Sequence, residues 1–388
     1  MKKLLIVILT TLIVTGCSKN DLYVANKTAD KLAVEVDVYT KKENKLYFAF
    51  DSLQQITGIE IKSGATIVDF DNNGRYDIIV NRHNVSRNQN SYIYDLLNPI
   101  VILDSKKIIE IPNLWKGGTI SAVADFNGDG YNDIVVADIG PEFWDLNSNP
   151  PKTPLTVYWN NKGIFDGSNT IVQELHNGCF SINTCDIDKD GIFEIIPMQN
   201  QFEDFIYEYN GSSFIKTKIT HLPNISHSAA IYSDFDGDKN IDLFCWGYDI
   251  SGNLSNFKPT IINNFNNPSL FKRFDLPNNF YVNLLLSGDF DKNGYVDFIM
   301  IGMLQGEGGA PLNRNHYFFY IENKGNNIFE LNKSKLPEYI TTSNNGYPML
   351  YTVNDIDNDG DLDFYNINSA MNLFFINDGK GNFKNGLQ

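Results

Sequence analysis

Asp125-Phe-Asn-Gly-Asp-Gly-Tyr-Asn-Asp133, followed at once by Ile134-Val-Val136, decides the fold. It sets acid or amide side chains at positions 1, 3, 5 and 9 of a nine-residue loop, a glycine at position 6, and an apolar run directly behind. The pattern recurs as DFDNNGRYD from Asp69, DIDKDGIFE from Asp186, DFDGDKNID from Asp234, DFDKNGYVD from Asp289 and DIDNDGDLD from Asp355. Side-chain oxygens at positions 1, 3 and 5 turn toward one centre, and glycine at position 6 permits positive φ at no steric cost. A carbonyl at position 7 and a carboxylate at position 9 complete an all-oxygen shell of the kind calcium takes.

The candidate ligands are Asp69, Asp71, Asn73 and Asp77 in the first loop and Asp125, Asn127, Asp129 and Asp133 in the second. The third has Asp186, Asp188, Asp190 and Glu194, and the fourth Asp234, Asp236, Asp238 and Asp242. The fifth has Asp289, Asp291, Asn293 and Asp297, and the sixth Asp355, Asp357, Asp359 and Asp363. The position-7 carbonyls belong to Arg75, Tyr131, Ile192, Asn240, Tyr295 and Asp361. Asp, Asn and Gly also make ordinary turns. Six copies, each closing on a carboxylate, argue for up to six structural Ca²⁺ ions instead. The copies are not equal: Lys239 replaces the glycine in the fourth, Asn73 and Asn293 lower the ligand charge of the first and fifth, and Glu194 gives the third a longer arm.

An EF-hand would need Glu at position 12 and flanking helices. Position 12 is Val80, Val136, Pro197, Cys245, Met300 or Asn366, and the flanks are short and rich in β-branched residues. The unit therefore reads as strand, loop, strand. Behind each pair comes a variable segment and then an aromatic strand ending in Asn or Gly, as in TVYWNNKGIF from Thr156, FIYEYNGSSF from Phe205, YFFYIENKGNNIF from Tyr317 and LFFINDGKGNF from Leu373. About four strands per period, with glycine and aromatic marks, predict a β-propeller. A lone four-stranded sheet exposes two edges and an apolar face, and radial stacking covers the faces.

The unit DxDxDGxxD followed by a strand, and later NDGKGNF, resembles the FG-GAP/VCBS repeat of integrin-α-type propellers over roughly residues 64–388. The resemblance implies seven blades with calcium in the strand 1–2 loops of one face and ligands on the other. Six clear repeats plus a degenerate blade over 21–63, where Leu32 to Tyr39 alternates and Leu46 to Phe50 is a second strand, make the expected seven. Six blades with that segment as a lead-in is the alternative. The long strand 2–3 connections on the opposite face carry Arg82, His83, Arg87, Glu142, Phe143, Trp144, Arg314 and His316. Of these Arg82, His83, Phe143, Trp144, Arg314 and His316 are the candidate partner-binding residues, because rigid scaffolds display binding groups on loops.

The chain opens MKKLLIVILTTLIVTGC. Lys2 and Lys3, the short apolar stretch from Leu4 to Ile13, and Val14-Thr15-Gly16-Cys17 look like a bacterial lipoprotein signal. The expectation is cleavage after residue 16, lipid on Cys17, a tether over 17–20 and the propeller over 21–388. Ser18 after the cysteine points to the outer membrane of a bacterial cell envelope. The net charge of −16 disfavours nucleic acid, which needs a cationic face. Cys179, Cys185 and Cys245 read as buried small apolar residues. No HExxH, GxSxG or phosphate-binding GxxxxGK[ST] motif occurs. The leading expectation is a membrane-anchored binding protein for a protein or glycan partner. The alternatives are an envelope polysaccharide lyase or hydrolase using the same loops, and a scaffold in an envelope assembly.

Overall fold

The computed structural model describes residues 39–42, 45–48 and 65–385, apart from 75–76, 81–82, 89–90, 97–99, 104–106, 112–119, 138–153, 174–178, 200–204, 219–224, 250–257, 265–269, 278, 305–312, 314, 342–350, 358 and 369–370. Its secondary structure is antiparallel β throughout. Blade 1 is Ala65–Val68, Asp77–Val80, Ile100–Leu103 and Lys107–Glu110. Blade 2 is Ile120–Ala124, Asp133–Ala137, Leu155–Tyr158 and Asn169–Gln173. Blade 3 is Cys179–Cys185, Glu194–Gln199, Phe205–Tyr209 and Phe214–Lys218, and blade 4 is Ile225–Ser233, Asp242–Asp249, Thr260–Asn263 and Leu270–Arg273. Blade 5 is Phe280–Gly288, Asp297–Leu304, Asn315–Asn323 and Phe329–Asn332, with Tyr339–Thr341 as an extra edge strand on Asn315–Asn323. Blade 6 is Tyr351–Asn354, Asp363–Asn368, Met371–Asn377 and Phe383–Asn385.

The propeller therefore has six blades, the alternative reading, and not seven. Within 21–63 the described residues form one hairpin, Tyr39–Lys42 with Lys45–Phe48, and it pairs with no blade. The alternating segment from Leu32 lies outside the described residues up to Tyr39, and alternation says nothing about whether four strands share a sheet.

The first strands of blades 2 to 6 touch one another in sequence, so the first strand of each blade lies innermost. Second strands are apolar without alternation because both their faces are covered. Asp133–Ala137 is buried along its whole length, and so is Asp297–Leu304 up to its last residue. The outer strand Phe214–Lys218 is mostly exposed. Five cores fill the five junctions from blades 1–2 to blades 5–6. Position 2 of the loop supplies a plug to four of them: Phe70, Phe126, Phe235 and Phe290 are each at most 1% exposed. The plugs meet rings of the neighbouring blade edge to face, as in Phe70 on Phe165 and Phe290 on Phe383, with centroids 5.1 and 5.4 Å apart.

Cys179 and Cys185 lie at the two ends of one extended strand, which keeps them far apart, and all three described cysteines are buried and outside any disulfide. Burial and the neighbouring carboxylates Glu194 and Asp186 push the Cys185 thiol up to about 12.

Candidate functional site

All six nine-residue loops join the first strand of a blade to its second. The register closing them is the same each time: the residue before position 1 pairs with position 9. The pairs are Val68 with Asp77, Ala124 with Asp133, Cys185 with Glu194, Ser233 with Asp242, Gly288 with Asp297, and Asn354 with Asp363.

Inside the loop the acids organise the backbone by a fixed rule. The position-6 N–H donates to the position-1 carboxylate in every copy, from Gly130 to Asp125 at 2.7 Å to Gly191 on Asp186 at 3.1 Å. The other four lie between these, including Lys239 on Asp234 at 2.8 Å. Position 3 accepts from the position-5 N–H, and position 5 from the position-7 N–H, as in Asp129 N–H to Asn127 Oδ1 at 2.9 Å and Tyr131 N–H to Asp129 Oδ1 at 2.9 Å. Position 6 has positive φ in all six loops, and Lys239 accepts it at 72°. Position 4 is left-handed as well, at Asn72, Gly128, Lys189, Gly237 and Lys292.

Five groups of three carboxylates bring one oxygen each within 4.8 Å of one another: Asp69, Asp71 and Asp77; Asp186, Asp188 and Glu194; Asp234, Asp236 and Asp242; Asp289, Asp291 and Asp297; and Asp355, Asp357 and Asp359. In the second loop Asn127 stands at position 3 in place of an acid. These clusters are able to bind metal. Arg75 lies outside the described residues.

Position 9 does more than the sequence implied. Its carboxylate is buried and accepts the position-2 N–H in every blade, at 2.8 Å from Phe70 and Phe235, 3.1 Å from Phe126, 3.3 Å from Phe290, 2.9 Å from Ile356 and 2.6 Å from Ile187. In blades 2, 4, 5 and 6 the second oxygen accepts, at 2.8 Å each, a backbone N–H just past or at the end of the third strand, from Asn160, Asn264, Asn323 and Asn377. Burial pushes Asp133, Asp297 and Asp363 up to about 7 and Asp242 up to about 6, with the acids at positions 1 to 7 adding to the rise.

Three of those asparagines are latches between blades. Asn160 Nδ2 donates to the carbonyl of Phe70 at 2.7 Å, Asn323 Nδ2 to that of Phe235 at 2.6 Å, and Asn377 Nδ2 to that of Phe290 at 2.7 Å. Each thus holds the position-2 plug of the preceding blade. The same Nδ2 also reaches the position-8 carbonyl of its own loop, and the side-chain oxygen accepts from the following turn. The sequence carried the signal, an Asn closing each aromatic strand, without revealing its partner.

Blade 3 departs from this pattern. Glu194 gives one oxygen to the Ile187 N–H, but its Oε1, and Oδ1 of Asp186 beside it, are buried with no hydrogen-bond partner. Glu194 is 3% exposed, and burial pushes it up to about 7. An unpartnered buried carboxylate oxygen aimed into an acidic loop fits a hard cation, which would supply the missing partner.

On the opposite face, His83 and Arg87 lie on a hairpin, His83–Asn88 with Ser91–Leu96, inserted between the second and third strands of blade 1. His316 is not displayed on a loop. It is the second residue of Asn315–Asn323, 2% exposed, with Nδ1 3.1 Å from the Tyr351 hydroxyl. Arg82, Glu142, Phe143, Trp144, Arg314 and Cys17 lie outside the described residues.

Residues 125–196, one full period from the second loop into blade 3, match the FG-GAP-like repeat family. The chain thus carries FG-GAP-like repeats on a β-propeller. No curated protein matches its sequence. Among solved structures, an Agrocybe aegerita lectin that recognises non-reducing terminal N-acetylglucosamine aligns over 85% of this chain and 81% of its own, with 16% identity and a TM-score of 0.50. The SapL1 lectin in complex with alpha methyl fucoside aligns over 81% and 93%, at 11% identity and a TM-score of 0.44. The Dos1 propeller aligns over 79% and 69%, at 10% identity and a TM-score of 0.41.

Proposed function

We propose that the protein is a calcium-stabilised binding propeller that holds a protein or glycan partner on the face opposite its acidic loops. The observation that carries the reading is the asymmetry of the two faces. On the loop face, first-to-second and third-to-fourth connections are short and tied to one another by the latches. On the other face the second-to-third connections carry the hairpin of blade 1 and the lengthened strands of blade 5, and the link from blade 5 to blade 6 adds the edge strand Tyr339–Thr341. A rigid scaffold with variable additions at one end is the usual design of a binding surface.

Calcium in this reading is held by the side chains at positions 1, 3 and 5, the position-7 carbonyl, and position 9 where an oxygen is spare. It neutralises repelling carboxylates and has no part in bond chemistry. Residues 1–16 are removed as a signal peptide, Cys17 carries the lipid, 17–20 form the tether, and the protein sits on the bacterial cell envelope at the outer membrane. Two acyl chains or more on that residue give stable anchoring, where one alone is marginal.

The shared fold with a lectin makes glycans ending in N-acetylglucosamine the first probe, while the ligand itself is for the surface to choose. The test is a glycan array followed by turnover assays on every sugar retained. The expected result is retention without bond cleavage, abolished when 83–96 is replaced by a short turn and unaffected by Lys272→Asn on the outer strand of blade 4. Cleavage of a retained sugar would make the protein a lyase or hydrolase. Retention of protein partners alone would make it a scaffold. Cys17→Ser is expected to release the protein from the membrane fraction; unchanged membrane association contradicts the anchor.

A further inference from the structure

In the first, second, third and fifth loops, position 4 faces the loop of a following blade. Asn72 Nδ2 donates to the carbonyl of Gly130, position 6 of the second loop, at 2.7 Å. A Cβ on Gly128 would meet Ile192, position 7 of the third loop, at 3.3 Å. Lys189 Nζ donates to the carbonyl of Lys239, position 6 of the fourth loop, and stands 3.9 Å from Oδ2 of Asp234 at position 1. Lys292 Nζ stands 3.9 Å from Oδ2 of Asp361, position 7 of the sixth loop. Gly237, the corresponding residue before the fifth loop, contributes no side chain. The second, third and fifth loops therefore receive an uncharged residue from the loop before, and the fourth and sixth receive an ammonium group.

We propose that Lys189 and Lys292 are tethered cations that hold the fourth and sixth loops in a low-affinity class for divalent metal, so that the ring fills in two stages. This rests on the reading of the loops as calcium sites. Both lysines start from left-handed φ, 66° and 58°, and Lys189 is held by its bond to the Lys239 carbonyl. Each reaches a carboxylate of the neighbouring loop, and Asp361 is only 6% exposed. The third loop shows the contrast. It receives glycine and no ammonium group; its unpartnered oxygens on Glu194 and Asp186 have a counterpart in Oδ1 of Asp361 in the sixth loop, so the lysine is what distinguishes the two. The third loop belongs to the tight class. A single charge about 6 Å from a divalent ion in a water-like dielectric changes affinity about tenfold. The effect shrinks with added salt as the charges are screened.

The test is calorimetric calcium titration of the full chain after chelator treatment, with terbium luminescence as a second readout. Wild type is expected to show a tight and a weak class of sites. Lys189→Asn with Lys292→Asn is expected to move two sites into the tight class, each binding about tenfold more strongly. Asparagine suits this backbone, because Asn72 already occupies position 4 with φ of 57°. Lys189→Arg with Lys292→Arg keeps the charge and is expected to behave as wild type, as is Lys272→Asn. Asparagine variants with wild-type affinities, or an equal shift from Lys272→Asn, would overturn the assignment and leave the calcium reading standing. Absence of binding by wild type and variants alike would overturn both.

Discussion

Blades 3 and 5 share one loop design and close it with different acids. In blade 5 the shorter acid, Asp297, accepts the Phe290 N–H at 3.3 Å and the Tyr320 hydroxyl at 2.6 Å on one oxygen, and the Asn323 N–H at 2.8 Å on the other. Asn323 then reaches the carbonyl of Phe235, 88 residues earlier, and locks blade 4 to blade 5. In blade 3 the longer Glu194 keeps only the bond to Ile187 and holds its other oxygen unpartnered. Asn210 stays in its own turn, bonded to Ser212 and Ser213, and the junction to blade 2 is bridged instead by the Phe193 N–H on the carbonyl of Asp125 at 3.1 Å and the Tyr207 hydroxyl on Oε1 of Gln173 at 2.6 Å. Position 9 thus has two uses. Where both oxygens serve backbone donors, the acid is part of the inter-blade frame. Where one is spare, it is available to a cation.

The largest expected effect breaks the frame in blade 5. Asp297→Ala leaves buried donors on Phe290, Asn323 and Tyr320 unpaired and is expected to destabilise by about 3–5 kcal/mol. Glu194→Ala in metal-free protein removes one such bond and is expected to lose about 1–2 kcal/mol. Denaturant unfolding of both variants without metal measures the gap, and equal losses would erase the distinction. Next comes the latch. Asn323→Ala is expected to lose about 2–3 kcal/mol, and Asn210→Ala, on an exposed turn, less than about 1. Similar values for the pair would mean that Asn323 is merely a turn residue.

Gly163 sharpens the same comparison at blades 1 and 2. It has φ of 82°, and a Cβ there would lie 2.6 Å from Cβ of Asp71. Gly163→Ala is expected to lose about 1–3 kcal/mol, whereas Gly211→Ala in blade 3, with φ of 90° and open space around it, keeps only the backbone penalty of about 1.

Metal-free protein should also respond to pH in an unusual direction. Burial raises Asp133, Asp297, Asp363 and Glu194 to about 7 from the ordinary carboxylate range of about 4. Between those limits the folded chain binds more protons than the unfolded one, so these groups make stability fall as pH rises from about 4 through about 7. Saturating calcium favours the ionised form and is expected to flatten or reverse that slope. A metal-free midpoint that rises steadily across the window would contradict the assignment.

Much of this was legible beforehand. Six loops recurring every 48 to 66 residues, with a strand on each side and an aromatic strand behind them, specify a propeller. The error in blade number came from counting LAVEVDVY and the strand after it as a blade. Each of the six blades, however, also carries an acidic nine-residue loop between its first two strands, and the sequence of 21–63 contains none. The latches were out of reach for a different reason. Asn160, Asn323 and Asn377 find their partners 90, 88 and 87 residues away, a relation set by the stacking of blades and not by any local pattern. The same holds for position 4, where only the neighbouring loop gives Asn72 and Lys189 their meaning. His316 was misplaced because blade 5 extends its second and third strands past the point where a loop was expected.

The measurement that tests the account most directly is thermal unfolding of the protein in excess calcium and again in chelator. An ion that binds only the folded chain raises stability by RT ln(1 + [L]/Kd) at each site. The account predicts a large rise in midpoint with calcium, reduced when Glu194→Gln removes one of the four carboxylate charges of the third loop. An unchanged midpoint, with no calcium retained by the purified protein, would show that the six acidic loops are turns held by their own hydrogen bonds.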